Sequence, residues 1–177
     1  SRRIDFLVAG YDDEDNANVV VIELKQWEGQ STEPVDGKDG IVKTFLGGGI
    51  RETTHPSYQA LSYTQLLQDF NITIREKPID LYPVAYLHNF EPQYRERLDN
   101  DIYDPYTEKA PPYIRGDAKN LRSFLERQIA AGHDRENLSE LDAVKIKLAK
   151  TMQDTLLGML EEQDVFTFVG SQKIIFE

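Results

Sequence analysis

Asn18-Val19-Val20-Val21-Ile22-Glu23-Leu24-Lys25-Gln26-Trp27 is the stretch on which the reading of the fold turns. Its run of β-branched residues predicts a strand, and two charged side chains interrupt it. Residues two apart on a strand project to the same face. Glu23 and Lys25 therefore point together, and Leu24 faces the other side. Charges placed in an otherwise apolar strand carry a burial cost that calls for a purpose. Upstream, Ile4 to Ala9 is a compact apolar run holding one acid, Asp5, and the turn formers of Gly10 to Asn16 follow it. Two strand-like runs around a polar turn predict a hairpin, which would set Asp5 beside Glu23. Adjacent carboxylates repel unless a cation joins them. Mg²⁺ (or Mn²⁺) is the natural cation, held by one or two carboxylates, with the carbonyl of Leu24 as a further ligand. Lys25 would then lie one strand step from the metal, placed to orient an attacking water or to stabilise a pentacovalent phosphate. The plainer account is a solvent-facing Glu23–Lys25 pair on an edge strand.

The whole chain has 177 residues, 40% of them hydrophobic, enough for one domain with a sizeable core. Lys plus Arg number 20 against 31 Asp plus Glu, a net charge of −11. That excludes a small basic domain that coats phosphate backbone nonspecifically, but not an enzyme with acidic metal ligands. The absence of cysteine excludes a disulfide scaffold, a thiolate metal site and a Cys nucleophile. No apolar run approaches the roughly 20 residues that span a bilayer, and the start lacks the apolar core of a secretory signal. The expectation is a cytoplasmic protein with no membrane partner.

Further along, residues 28–40 read as loop and Ile41 to Phe45 as a third strand. Gly47-Gly48-Gly49 reads as a connector before a helix that starts at His55-Pro56, with Leu61, Leu66, Leu67 and Phe70 as its apolar stripe. Leu81 to His88 reads as a strand in which Pro83 marks an edge. Residues 89–112, acidic and Tyr-rich, read as a long surface excursion. Asp117 would cap a helix to Ala131, with Leu121, Phe124, Leu125 and Ile129 inward. A long helix from Ser139 to about Gln163 and a last strand from Val165 to Val169 complete the reading. The architecture expected is α/β, a mixed central sheet flanked by helices, in a single domain over 1–177. Residues 111–135 carry five bases and three acids, a +2 window best read as a solvated helix face.

Gln59-Ala60-Leu61-Ser62-Tyr63 puts Gln59 and Tyr63 four apart, on one helix face. With Asp5, Glu23 and Lys25 preceding them in order, the sequence resembles the PD-(D/E)xK nucleases of the restriction-endonuclease-like fold. Within these it resembles the RecB- and Cas4-like branch, which carries a Gln-hydrophobic-x-x-Tyr motif after its Glu-x-Lys strand. The resemblance implies metal ligation by Asp5 and Glu23, a catalytic role for Lys25, and substrate or Lys positioning by Gln59 and Tyr63. It also places His55 near the site. The runs Arg3-Ile4-Asp5-Phe6, Val21 to Trp27, His55 to Ala60 and Ala85 to Asn89 further resemble a bacterial nuclease-like region found ahead of a Schlafen-related P-loop ATPase or helicase. Gly170 to Glu177 resembles the lead-in to such an ATPase, expected over 164–177, although this chain holds no Gly-x-x-x-x-Gly-Lys-Ser/Thr run. The family carries a helix with a further acid ahead of its Asp strand, whereas Asp5 stands almost at the start here. The chain therefore reads as a fragment of a larger protein with a covalently attached ATPase domain.

Two functions follow as expectations. The first is a Mg²⁺-dependent nuclease acting on nucleic acid, with DNA preferred to RNA. The alternative is a catalytically inactive nuclease-like fold that binds nucleic acid or docks a protein. His55, His88 and His133 have no metal-ligand spacing. Tyr103, Tyr106 and Tyr113 are candidates for base stacking, with aromatic packing as the plainer account.

Overall fold

The computed structural model describes residues 4–70 and 78–130; the expected helix 139–163, the strand 165–169, the 164–177 lead-in and His133 lie outside the described residues. Strands β1 (Phe6–Tyr11) and β2 (Ala17–Lys25) form the expected antiparallel hairpin. β2 then pairs in parallel with β6 (Ile79–Leu87), and β6 with β7 (Pro112–Ile114), giving a mixed sheet of order β1-β2-β6-β7. Val19, Val20 and Val21 are all buried, which identifies β2 as a central strand covered on both faces. Helices supply the two covers, so the class is α/β.

Odd and even positions of the sheet go to different helices. Val19, Val21 and Ile79, with Leu7 and Ala9 beside them, pack against Tyr63 and Leu67 of helix α1 (Pro56–Phe70). On the other face Val20, Ile22 and Val84 meet Leu121, Phe124 and Leu125, which belong to a helix over Ala118–Gln128. The stripe α1 buries is Ala60, Tyr63, Thr64 and Leu67, an i, i+3, i+4, i+7 set. Leu61 and Leu66, expected inward, are only half-buried. The buried stripe is therefore rotated from the one expected.

A second sheet, β3 (Glu33–Pro34), β4 (Ile41–Leu46) and β5 (Gly49–Thr54), stands beside the first. Gly49 therefore opens a strand, and the expected glycine connector is a hairpin turn. Gly47 and Gly48 both take positive φ, +56° and +88°, the combination that a two-residue type I′ turn requires. β5 escapes sequence reading because Arg51-Glu52-Thr53-Thr54 shows no apolar alternation.

Residues 89–112 are not a surface excursion. They run through 3₁₀ turns at Pro92–Arg97 and Asp101–Tyr103 and a short helix α2 (Asp104–Thr107), and they bury Phe90, Leu98, Tyr103 and Ala110. With Trp27, Val42, Ala85, Leu87 and Ile114, most of these side chains build a second core. Pro83 is tolerated inside β6 because β7 pairs only with Ala85 to Leu87, so the sheet is locally an edge at that point. The helix over Ala118–Gln128 becomes α3. Asp117 does not cap it; its Oδ2 instead accepts from Ile114 N at 3.0 Å and pairs with Arg95. After α3 the chain lies against β1, where Ala130 N donates to Tyr11 O at 2.8 Å. Gly10 permits that approach, since a Cβ there would sit 2.4 Å from Ile129 Cγ2.

Candidate functional site

Phe6 pairs with Ile22, so continuing the register one step brings Asp5 opposite Glu23. Asp5 Oδ2 accepts a hydrogen bond from Leu24 N at 2.9 Å. The amide and carbonyl of one strand residue point to the same side, so the Leu24 carbonyl faces the edge that Asp5 occupies. Lys25 Nζ donates to Glu23 Oε1 at 2.5 Å, and the same ammonium lies 5.6 Å from the centre of the Trp27 ring. Glu23 and Lys25 are odd-numbered residues of β2, the parity of Val19 and Val21, which face α1. On α1, Gln59 Nε2 donates to Tyr63 OH at 3.2 Å, and Tyr63 is buried against Val19 and Val21. The structure thus joins Asp5 to Leu24, Lys25 to Glu23, and Gln59 to Tyr63, the last pair on the helix that covers the Val19 and Val21 face of β2.

Glu23 is 1% exposed, and its Oε2 finds no hydrogen-bond partner among the described residues. Leaving such an acceptor unmet costs about 1–3 kcal/mol, more when it is charged. Burial pushes the Glu23 carboxyl up to about 7; the hydrogen bond and charge of Lys25 oppose the rise, and the charge of Asp5 and a carboxyl–carboxyl contact with it, which favours a proton between the two, add to it. A divalent cation seated between Asp5 and Glu23 would satisfy the open oxygen and reverse that rise. Among the described residues no group of three or more His, Asp or Glu side chains could hold a metal ion. The donors on offer are two carboxylates and a carbonyl, a set that suits Mg²⁺, which keeps several waters, better than Ca²⁺ or Zn²⁺.

His55 does not belong with these residues. It is fully buried; Nδ1 accepts from Ser57 N at 3.2 Å, and Nε2 therefore carries the proton donated to Leu98 O at 2.9 Å. Its ring stacks on Tyr103 with centroids 4.3 Å apart. Burial pulls its pKa down to about 4, so the ring is neutral across the physiological range. His55 is the N-cap of α1, with Pro56 at the first helical position.

Tyr103, offered for base stacking, is buried, and its OH donates to Ile41 O at 2.8 Å. Tyr113 packs on Phe124, while Tyr106 OH donates to Asp39. Arg115, Lys119, Arg122 and Arg127 are exposed as expected, and α3, which carries the last three, packs on the sheet face opposite α1. Trp27 was not anticipated as part of the site. The signal was present: an aromatic residue stands two positions beyond Lys25, just past the end of the strand.

No protein-family model, no curated protein and no solved structure matches this chain. No helix among the described residues is long and apolar enough to cross a membrane.

Proposed function

We propose that this chain is a divalent-metal-dependent nuclease module of restriction-endonuclease-like fold that hydrolyses phosphodiester bonds, with DNA as its substrate. The observation that carries the reading is the Asp5–Glu23 carboxylate pair, with a buried Glu23 Oε2 that has no hydrogen-bond partner among the described residues, flanked by Lys25 on the same strand. Asp5, Glu23 and the Leu24 carbonyl would hold Mg²⁺ or Mn²⁺. Such a cation, when bound, lowers the pKa of a water and neutralises charge on the phosphate. Lys25 places an ammonium within 2.5 Å of Glu23, where it balances carboxylate charge and can move to a phosphate oxygen. The Gln59–Tyr63 pair offers an amide and a phenol to position the scissile strand or Lys25. In the parent protein the module would serve a P-loop ATPase in the cytoplasm.

Mg²⁺- or Mn²⁺-dependent cleavage of plasmid and oligonucleotide DNA, lost in Glu23→Gln and Asp5→Asn chains that keep their fold, is the expected result. Undiminished cleavage in those folded variants would sink the assignment. A second reading, the silent scaffold, draws on the Lys25–Glu23 contact, because an internal counter-ion can replace a metal. No cleavage of any nucleic acid, together with no thermal shift at millimolar Mg²⁺, Mn²⁺ or Ca²⁺, selects it.

A further inference from the structure

Lys25 stands between two neighbours of different chemistry. Its Nζ donates to Glu23 Oε1 at 2.5 Å, and the same ammonium lies over the Trp27 ring, 5.6 Å from the ring centre. The Lys25 side chain is 19% exposed against 2% for Glu23, and its charge rides on a flexible four-carbon stem. Trp27 has no such freedom. Its ring is buried in the second core with Val42, Leu87 and Tyr103. The chain just beyond it is clamped: Gly29 N donates to Glu91 Oε2 at 2.6 Å, and Arg97 Nη1 reaches the carbonyls of Gly29, Gln30 and Thr32 at 3.1, 3.1 and 3.0 Å. Tyr94 closes on the same turn so tightly that a Cβ on Gly29 would sit 2.6 Å from its ring. The indole is a fixed surface, and the ammonium is a movable charge.

The two seats are not equivalent. A carboxylate attracts an ammonium but is equally a ligand for a divalent cation, so the two cations compete for Glu23. The face of an indole attracts an ammonium through the ring quadrupole. It carries no oxygen for a hard cation to take, and it leaves the ammonium's charge unneutralised. An acid at position 27 would be a rival ligand, and an aliphatic side chain would leave the ammonium unheld. An aromatic ring is the residue type that holds Lys25 without competing for a metal.

We propose that Trp27 is a positioning residue for Lys25: with Glu23 free of metal the ammonium is seated on Glu23 Oε1, and with Glu23 ligated it moves onto the Trp27 ring, which holds it within reach of a phosphate oxygen. This inference rests on the nuclease reading for its divalent cation. The Lys25–Glu23 contact is then the resting state of the site, an internal counter-ion that gives way on ligation.

Trp27 is the one tryptophan of the chain, so intrinsic fluorescence reports on this ring alone. An ammonium pressed against an indole face quenches its emission. Mg²⁺ added to the intact wild-type chain at constant ionic strength should lower Trp27 emission, with the same midpoint as the accompanying thermal shift. Lys25→Met should keep the thermal shift, bind Mg²⁺ more tightly because the competing ammonium is gone, and show no quench. Glu23→Gln should lose both signals. In cleavage, Trp27→Phe should retain most of kcat, whereas Trp27→Leu should lose about tenfold in kcat with KM for DNA unchanged, because the ring acts on Lys25 and not on the substrate. The wild-type and Lys25→Met arms both keep the native ring, so they decide the matter even where Trp27→Leu does not fold. No thermal shift and no cleavage in wild type overturns the nuclease reading and this inference with it. A wild-type thermal shift with unchanged emission, or a quench that persists in Lys25→Met, overturns the role of Trp27 and leaves the nuclease reading standing.

Discussion

The molecule holds two buried polar centres, Glu23 on β2 and His55 at the start of α1, and they differ in one respect. At His55 both ring nitrogens are bonded, the ring is stacked, and the group is locked in one neutral tautomer. At Glu23 one oxygen is bonded to Lys25 and the other has no partner among the described residues. A saturated polar group is a structural joint, because any movement breaks something. An unsaturated one holds interaction energy in reserve for a ligand. The comparison inverts the ordinary expectation that a histidine is the chemical residue and a strand glutamate the structural one.

On the proposed nuclease reading, the sharpest break between the two centres is in cleavage. Glu23→Gln or Asp5→Asn should lower metal-dependent cleavage by about three orders of magnitude, in line with the several kcal/mol a metal ion contributes to the transition state. His55→Asn should leave cleavage per folded molecule unchanged. Single-turnover rates on the folded fraction decide both.

Stability should respond the other way round. His55→Ala removes two hydrogen bonds and a stacked ring, strands the Leu98 carbonyl, and should cost roughly 3 kcal/mol in urea denaturation. Glu23→Gln should be neutral or stabilising in the absence of metal, since it removes a buried charge. A destabilised Glu23→Gln chain would make Glu23 a structural joint like His55.

The two groups also titrate against each other. His55 falls from 6.5 to about 4 on folding, so the unfolded chain binds its proton first and stability drops as pH falls from 6.5 towards 4. Glu23 rises from 4.5 to about 7, so the folded chain keeps its proton longer and stability drops as pH climbs from 4.5 towards 7. Each span is about 2.5 units, or about 3 kcal/mol at most. Between pH 4.5 and 6.5 the contributions should nearly cancel in wild type. Glu23→Gln should uncover a stability that rises with pH over that window, and melting temperatures in a metal-free pH series measure it. A falling profile in that variant would be inconsistent with a neutral buried His55.

The smallest effect expected is ligation. Mg²⁺ at ten times its dissociation constant should stabilise the native state by about 1.4 kcal/mol, and it should flatten the falling limb above pH 5 by holding Glu23 ionised. Glu23→Gln should lose the thermal shift and His55→Asn should keep it.

Much of the sheet was legible because its signals are local. The β-branched run of β2, the turn acids before it and the two-residue alternation set the β1–β2 hairpin, and with it the Asp5–Glu23 register. The Gln59–Tyr63 spacing placed both side chains on one helix face. Residues 89–112 were opaque for the opposite reason: an irregular backbone has no period, so Phe90, Leu98 and Tyr103 carry no pattern that marks them as core.

By itself the sequence determined an α/β chain with a charged pair on a buried strand, because strand pleat and hairpin register depend only on neighbours a few residues apart. Only the tertiary structure decided what those charges meet. Among the described residues it left Glu23 Oε2 without a hydrogen-bond partner, turned His55 from a site residue into a cap, and sent the α3 bases to the far face. Each of these depends on segments distant in the chain packing together, and burial, which sets both pKa and availability, is a property of that packing and of no local stretch.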